Sequence, residues 1–327
     1  MKKIIAVLLA LALVFAFAAC GSKDAGNGDK PATPEKLSFV TGGESGTYYG
    51  FGSVLASHAT SDAGLDITAV TSGGSQANVN MLQDGDAELA FCQSDVMTYA
   101  YNGTNLFAEQ GKVDCFSTVA ALYTEQVQIV TCNPDIKTVA DLKGKSVSVG
   151  DAGSGTYFNA MDILGIYGLT TDDIKPVNQA FGDSTDAIKN GTIDAAFIVA
   201  GAPTTAITDL STTKQVYLVS LDEEHINALI EKSPYYAECT ISKETYNTAE
   251  DIKTVGVGAV ILAKDTVSED SVYKFVKDIF DNAESLVDNH AKYKEINLEY
   301  GASITSVPYH AGAAKYFAEQ GVNVATK

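Results

Sequence analysis

The tetrapeptide Ser-Gly-Thr-Tyr occurs twice in this chain, at 45–48 and at 154–157, each time between a short apolar run and a helical stretch. Neighbouring text repeats too. "GDAELAF" at 85–91 is echoed by "GTIDAAF" at 191–197, matching Gly85 with Gly191, Glu88 with Asp194, Ala90 with Ala196 and Phe91 with Phe197. The offsets are nearly equal, 109 and 106 residues. Similarity at one offset marks a repeated unit. A chain written this way is constrained to fold as two related halves.

Within each half, strand and helix patterns alternate. "LSFVTGG", "LDITAVTSGG" and "AELAFCQ" read as strands, separated by the helical stretches "TYYGFGSVLASHA" and "SQANVNMLQDG". "KSVSVGDAGSG", "TYFNAMDILGIYG", "STDAIKNG" and "TIDAAFIVAG" repeat the order. Alternation of this kind predicts parallel βαβ units, hence an α/β fold. Near the C-terminus, Val272, Phe275, Val276, Ile279, Phe280, Ala283, Leu286 and Val287 recur at helical spacing behind a capping Ser268, which predicts a packing helix over 268–287.

Ligands of open α/β sheets sit beyond the carboxyl ends of the strands. Four helix starts lie there: the two Ser-Gly-Thr-Tyr turns, "TSGGSQAN" at 71–78 and "FGDSTDA" at 181–187. Free N–H groups of a first helical turn, aligned with the helix dipole, attract anionic or polar groups without any cation. The first turn nominates Gly43, Ser45, Gly46, Thr47 and Tyr48 as ligand contacts, and the second Ser72, Gly74, Ser75 and Asn78. Gln93, Ser94 and Asp95 follow at a strand end. The second half contributes Ser154, Gly155, Thr156, Tyr157, Asp183, Ser184 and Gly201. Asp95 or Asp183 either receives a ligand ammonium or serves as a plain N-cap.

Composition narrows the chemistry. The chain has 41 acidic and 22 basic residues, a formal charge of −19, and every basic residue is Lys. Nucleic acid is excluded as a partner, because phosphate binding needs a basic face. Without Arg there is no bidentate clamp for a carboxylate. No metal or other cofactor is expected. Cys92, Cys115, Cys132 and Cys239 show neither C-x-x-C nor Cys/His metal spacing, and their pairing is open. There is no G-x-S-x-G, no Walker-type loop and no spaced histidine pair, so an enzyme is not expected.

The first residues read as an export signal: two lysines, a short apolar run, then Ala18-Ala19-Cys20-Gly21. This matches a bacterial lipoprotein processing site, with residues 1–19 removed and Cys20 lipidated, although Phe17 stands where Leu is usual. Residues 20–36 form a polar Gly/Pro-bearing tether. The expected protein is extracytoplasmic and membrane-anchored by lipid.

The segments "FVTGGESGTYYGFGSVLA", "TSGGSQANVNMLQDGDAELAFCQSDV", "VSVGDAGSGTYFNAMDIL", "KNGTIDAAFIVAGAP", "TVGVGAVILAKDTVSEDSVYKFVKDIFDN" and "VPYHAGAAKYFAEQG" together resemble the solute-binding proteins of TRAP transporters, in the TAXI subfamily. The resemblance implies a type II periplasmic-binding-protein fold. Its lobes would be 37–126 with 255–327, and 127–254, hinged at 122–130 and 255–263. It also implies a small-molecule solute, a carboxylate or an amino acid such as glutamate, delivered to TRAP membrane subunits. The arginine-based binding of the related dicarboxylate receptors does not carry over to a chain without Arg. A binding protein for an ATP-driven (ABC) importer uses the same lobes and tether and is the alternative. A ligand sensor or an enzyme comes behind both.

Overall fold

The computed structural model describes residues 34–327. The export signal, Cys20 and most of the tether lie outside the described residues.

The first half runs β1 (Lys36–Val40), α1 (Thr47–Asp62), β2 (Asp66–Val70), α2 (Ser75–Asp84), β3 (Leu89–Gln93) and α3 (Ser94–Asn102). β1 pairs in parallel with both β2 and β3. A long strand, β4 (Phe116–Thr131), leads into the second half. There β5 (Ser146–Ser148), α4 (Gly155–Ile166), β6 (Lys175–Val177), α5 (Phe181–Lys189) and β7 (Ala195–Ala200) repeat the plan, with β5 parallel to β6 and β7. Then follow α6 (Thr205–Ser211), β8 (Tyr217–Leu218), α7 (Glu223–Lys232), β9 (Ala237–Ile241) and α8 (Lys243–Tyr246). A second long strand, β10 (Ile252–Lys264), returns to the first half, and α9 (Glu269–Asp281), α10 (Leu298–Gly301) and α11 (Ala311–Glu319) close the chain.

The order across the sheet is β2-β1-β3-β10-β4-β7-β5-β6, with β8 beside β4 and β9 beside β10. The order is symmetric about the β10–β4 pair. β3 and β7, which hold the repeated "GDAELAF" and "GTIDAAF", occupy matched places. Their aligned acids also do the same work. Glu88 Oε2 accepts the Ser38 N–H at 2.8 Å, and Asp194 Oδ2 accepts the Ser146 N–H at 2.8 Å. The Glu88 and Asp194 N–H groups donate back to Ser38 O and Ser146 O. The duplication seen in the sequence is thus a duplication of hydrogen bonds.

β4 and β10 run antiparallel from Phe116/Lys264 to Gln126/Gly256. At one end β10 pairs with β3; at the other β4 pairs with β7. Segments 122–130 and 255–263 are the middles of these two strands. The apolar clusters divide at the same place. Phe39, Phe51 and Phe91 pack with Phe275, Ile279 and Phe317 of the C-terminal helices, so the end of the chain completes the first half. Val127, Ile129, Ile163, Phe197, Val255 and Val257 belong to a second cluster.

The packing helix is shorter than its periodicity predicts. Ser268 Oγ caps α9 by accepting the Ser271 N–H, and Val272, Phe275, Val276 and Ile279 are buried as expected. The helix stops at Asp281 because the Asn282 side chain takes the Asp278 carbonyl, at 3.0 Å, that its own N–H would have reached. Ala283 and Leu286 pack from the turns that follow. No helix among the described residues is long and apolar enough to cross a membrane.

Candidate functional site

A cavity of about 250 Å³ opens where the strands of both halves end, small beside the roughly 300–1,000 Å³ of drug-sized sites. Four helices of nine residues or more start at its wall: α1, α2, α4 and α5. Ser and Thr at helix starts commonly act as side-chain caps. Of these four helices only α4 has one, where Ser154 Oγ accepts the Tyr157 N–H at 3.3 Å. The N-caps of α1, α2 and α5 are Gly46, Gly74 and Ala180, and none supplies a side-chain hydrogen bond. Gly74 holds φ at 102°, a backbone that L side chains avoid. Away from the cavity, α7, α9, α10 and α11 are capped by Asp222, Ser268, Asn297 and His310. The Ala77 N–H of α2 is taken by Gly153 O; the other first-turn N–H groups without a cap remain available to whatever fills the cavity.

The cavity wall includes Gly43, Ser45, Gly46, Thr47, Tyr48, Ser72, Gly74, Ser75, Gln93, Ser154, Gly155, Thr156 and Asp183 among the nominated residues. Six nominated residues stand elsewhere. Asn78 Nδ2 donates to Thr41 O and Phe91 O, both at 2.7 Å, tying β1 to β3. Ser94 Oγ accepts the Gly258 N–H of β10 at 2.9 Å. Ser184 Oγ is held by Ser148 Oγ at 2.7 Å and donates to Ala180 O at 2.9 Å. Tyr157 packs on the second apolar cluster. Gly201 offers its carbonyl to Thr47 Oγ1 at 2.8 Å rather than facing the cavity. Asp95 is neither a cavity residue nor an N-cap: Gln93 is the N-cap of α3, and Asp95 is buried with Oδ2 accepting from Asn159 Nδ2 at 3.1 Å.

Residues from the two halves meet around the cavity. The Ala206 N–H donates to Ser45 O at 3.2 Å, and the Ala77 N–H to Gly153 O at 3.1 Å. At Gly155 a Cβ would stand 1.9 Å from Gln93 Oε1, so this position admits no side chain while Gln93 holds its place. The first Ser-Gly-Thr-Tyr glycine is less constrained: a Cβ on Gly46 would meet Gly43 O at 3.3 Å and touch Phe181 at an ordinary 3.5 Å.

The sequence reading missed Glu125, which lines the cavity from β4. Only 2% of it is exposed, and Gln93 Nε2 donates to its Oε2 at 2.9 Å. Burial pushes its pKa up to about 8, against the pull of Gln93 and of the Tyr48 hydroxyl, which stands near without hydrogen-bond geometry. The signal was present: Glu125 is the one charged residue in the sixteen of β4. Gly42, Glu44, Gly73, Asp151, Ala180, Phe181, Gly182, Val199 and Ala200 were also missed. No Lys lines the cavity. Buried Lys292 spends its ammonium on Ala202 O at 2.9 Å and on Glu295. Among the described residues no group of His, Cys, Asp and Glu is arranged to hold a metal ion, and Cys92, Cys115, Cys132 and Cys239 are unpaired.

The family profile described as "NMT1-like family" matches residues 39–321. Among solved structures, the alkanesulfonate-binding protein SsuA from Xanthomonas axonopodis pv. citri, bound to MOPS, superposes with a TM-score of 0.52 at 17% identity, covering 88% of this chain and 84% of that one. A protein from Bordetella bronchiseptica RB50 gives 0.52 at 17% identity, with 86% and 88% covered. The architecture is the type II periplasmic-binding-protein fold, as expected. The subfamily assignment is corrected: the matching profile and these neighbours are not those of the TAXI proteins of TRAP transporters.

Proposed function

The chain belongs to the NMT1-like family, and from that premise we propose that it is an extracytoplasmic solute-binding protein, not an enzyme, serving an ATP-driven (ABC) importer. The observation that carries this reading is the ring of helix starts. Four N-termini converge on one small cavity and three are left without a side-chain cap. Donors left unpaired at a dipole's positive end suit a carboxylate or similar group without any Arg. The ligand is a small carboxylate or an amino acid. Contacts come from backbone N–H groups and from Ser45, Thr47, Ser75, Ser154 and Thr156. Residues 37–126 with 255–327 form one lobe and 127–254 the other, hinged at the middles of β4 and β10. Cys20 carries the lipid anchor. Family membership supports an ABC partner over the ion-gradient partner expected from the sequence; the fold is common to both.

Two measurements test the reading. Mass spectrometry of small molecules released by denaturing freshly purified protein is expected to find one stoichiometric polar ligand. Uptake of that ligand by proteoliposomes holding the genetically adjacent membrane subunits is expected to need ATP inside. Gradient-driven uptake without ATP would overturn the assignment of partner, and turnover of the ligand by the protein alone would overturn the binding role.

A further inference from the structure

The cavity wall carries both donors and acceptors: the first turns of α1, α2 and α5 bring N–H groups, and Glu125 and Gln93 bring buried oxygens. Gln93 is 2% exposed, its Nε2 is spent on Glu125, and its Oε1 is buried with no partner. The Tyr48 hydroxyl, on the same wall, is also buried and unpartnered. Such groups are costly to leave unpaired; both belong to residues of the cavity wall, where a ligand group would satisfy them. An anion does not belong there: the cavity's charged side chains are Glu44, Glu125, Asp151 and Asp183, with no cation among them. An ammonium has three N–H donors and no acceptor. Glu125, Gln93 Oε1 and Tyr48 Oη supply three oxygens.

We infer that Glu125, Gln93 and Tyr48 form a subsite for a protonated amine, so that the ligand is a zwitterion, an amino acid or a close analogue, rather than a simple carboxylate. This rests on the cavity being the ligand site. It makes Glu125 the specificity-determining group. The titratable groups around Glu125 are Tyr48 of α1, Cys92 of β3, Asp95 of α3, Tyr123 of its own strand, Lys292 from the turn at Ala291–Glu295, and Tyr300 of α10. Lys292, the one cation, is engaged elsewhere, so the empty site favours the protonated carboxyl. Binding an ammonium then requires the Glu125 proton to leave to solvent. Affinity therefore rises with pH while Glu125 is still protonated in the empty site, by at most tenfold per unit.

The test is calorimetric titration of the full-length protein with the common amino acids and with their des-amino carboxylic acids, at pH 6 and pH 8. The expected result is binding of one or more amino acids with at least tenfold preference over the des-amino partner. Affinity at pH 8 exceeds that at pH 6, with proton release read from buffers of different ionisation enthalpy. Glu125→Gln, which keeps shape and removes the ionisable group, lowers that affinity at least tenfold and abolishes the pH dependence, while its melting temperature shows that it folds. If des-amino acids bind as well as amino acids, or Glu125→Gln binds amino acids as the parent does, the amine subsite is wrong and the cleft reading stands. If neither set binds, both are wrong.

Discussion

Gly155 lies against a carbonyl oxygen of the other half of the molecule, and its missing side chain is what lets the two halves approach. A Cβ there would collide with Gln93 Oε1 at 1.9 Å, and buried Gln93 can yield only toward the cavity it lines. We expect Gly155→Ala to push Gln93 off Glu125, break the 2.9 Å hydrogen bond and lower ligand affinity at least tenfold, with the melting temperature changed by only a few degrees. Titration calorimetry beside a thermal melt separates the two effects; unchanged affinity would show that Gln93 moves freely. The importance of this glycine was legible in the sequence because the turn occurs twice. Glu125 was not singled out. A lone acid in an apolar strand reads as a solvated edge until the sheet order shows β4 flanked by β10 and β7. Asp95 erred the other way. It looked like a ligand contact because it follows a strand end, but α3 turns it toward Asn159.

At the cavity, α1, α2 and α5 begin without a side-chain cap, whereas α7, α9, α10 and α11 elsewhere begin with one. α9 starts on Ser268, whose hydroxyl accepts from Ser271, and losing such a cap costs about 1 kcal/mol. Ser268→Ala is therefore expected to lower stability by about that amount in urea unfolding and to leave ligand affinity alone. The double variant Thr47→Val/Thr156→Val is expected to lower ligand affinity, with a stability cost of about 1 kcal/mol from the lost Thr47 hydrogen bond. It removes two hydroxyls from residues of the cavity wall, and with that of Thr47 the 2.8 Å bond to Gly201 O, while valine keeps the volume. Affinity should fall at least tenfold by calorimetry; equal affinity would reduce these turns to packing. Strand and helix order was legible because periodicity reports burial, and burial made these elements. The missing caps were not. Ser and Thr at helix starts are the residues that normally cap, and only the folded backbone shows that Ser45 stands one residue and Ser72 two residues before the N-cap.

At the scale of the molecule, two buried carboxyls make stability depend on pH in an unusual direction. Burial raises Asp95 to about 7 and Glu125 to about 8, against about 4 in an unfolded chain. Below pH 4 both groups are protonated whether the chain is folded or not, and their contribution is fully present. Between pH 4 and about 8 the unfolded chain gives up protons that the folded chain keeps. Each group then removes stability at up to about 1.4 kcal/mol per pH unit until its folded pKa is passed. The formal charge of −19 adds repulsion as the pH rises. The ligand-free protein is thus expected to melt at a higher temperature at pH 5 than at pH 8. A wild-type scan alone cannot separate the two causes, because surface repulsion has the same sign. Asp95→Asn with Glu125→Gln can, since it removes the buried protons and leaves the surface alone. The double variant should lose most of the slope between pH 5 and 8 in thermal melts; a slope equal to the parent's would assign the effect to surface charge. Saturating ligand should flatten the parent's curve as well. An ammonium on Glu125 compensates the ionised carboxylate where the empty protein is weakest, so the gain in melting temperature on binding should be larger at pH 8 than at pH 5.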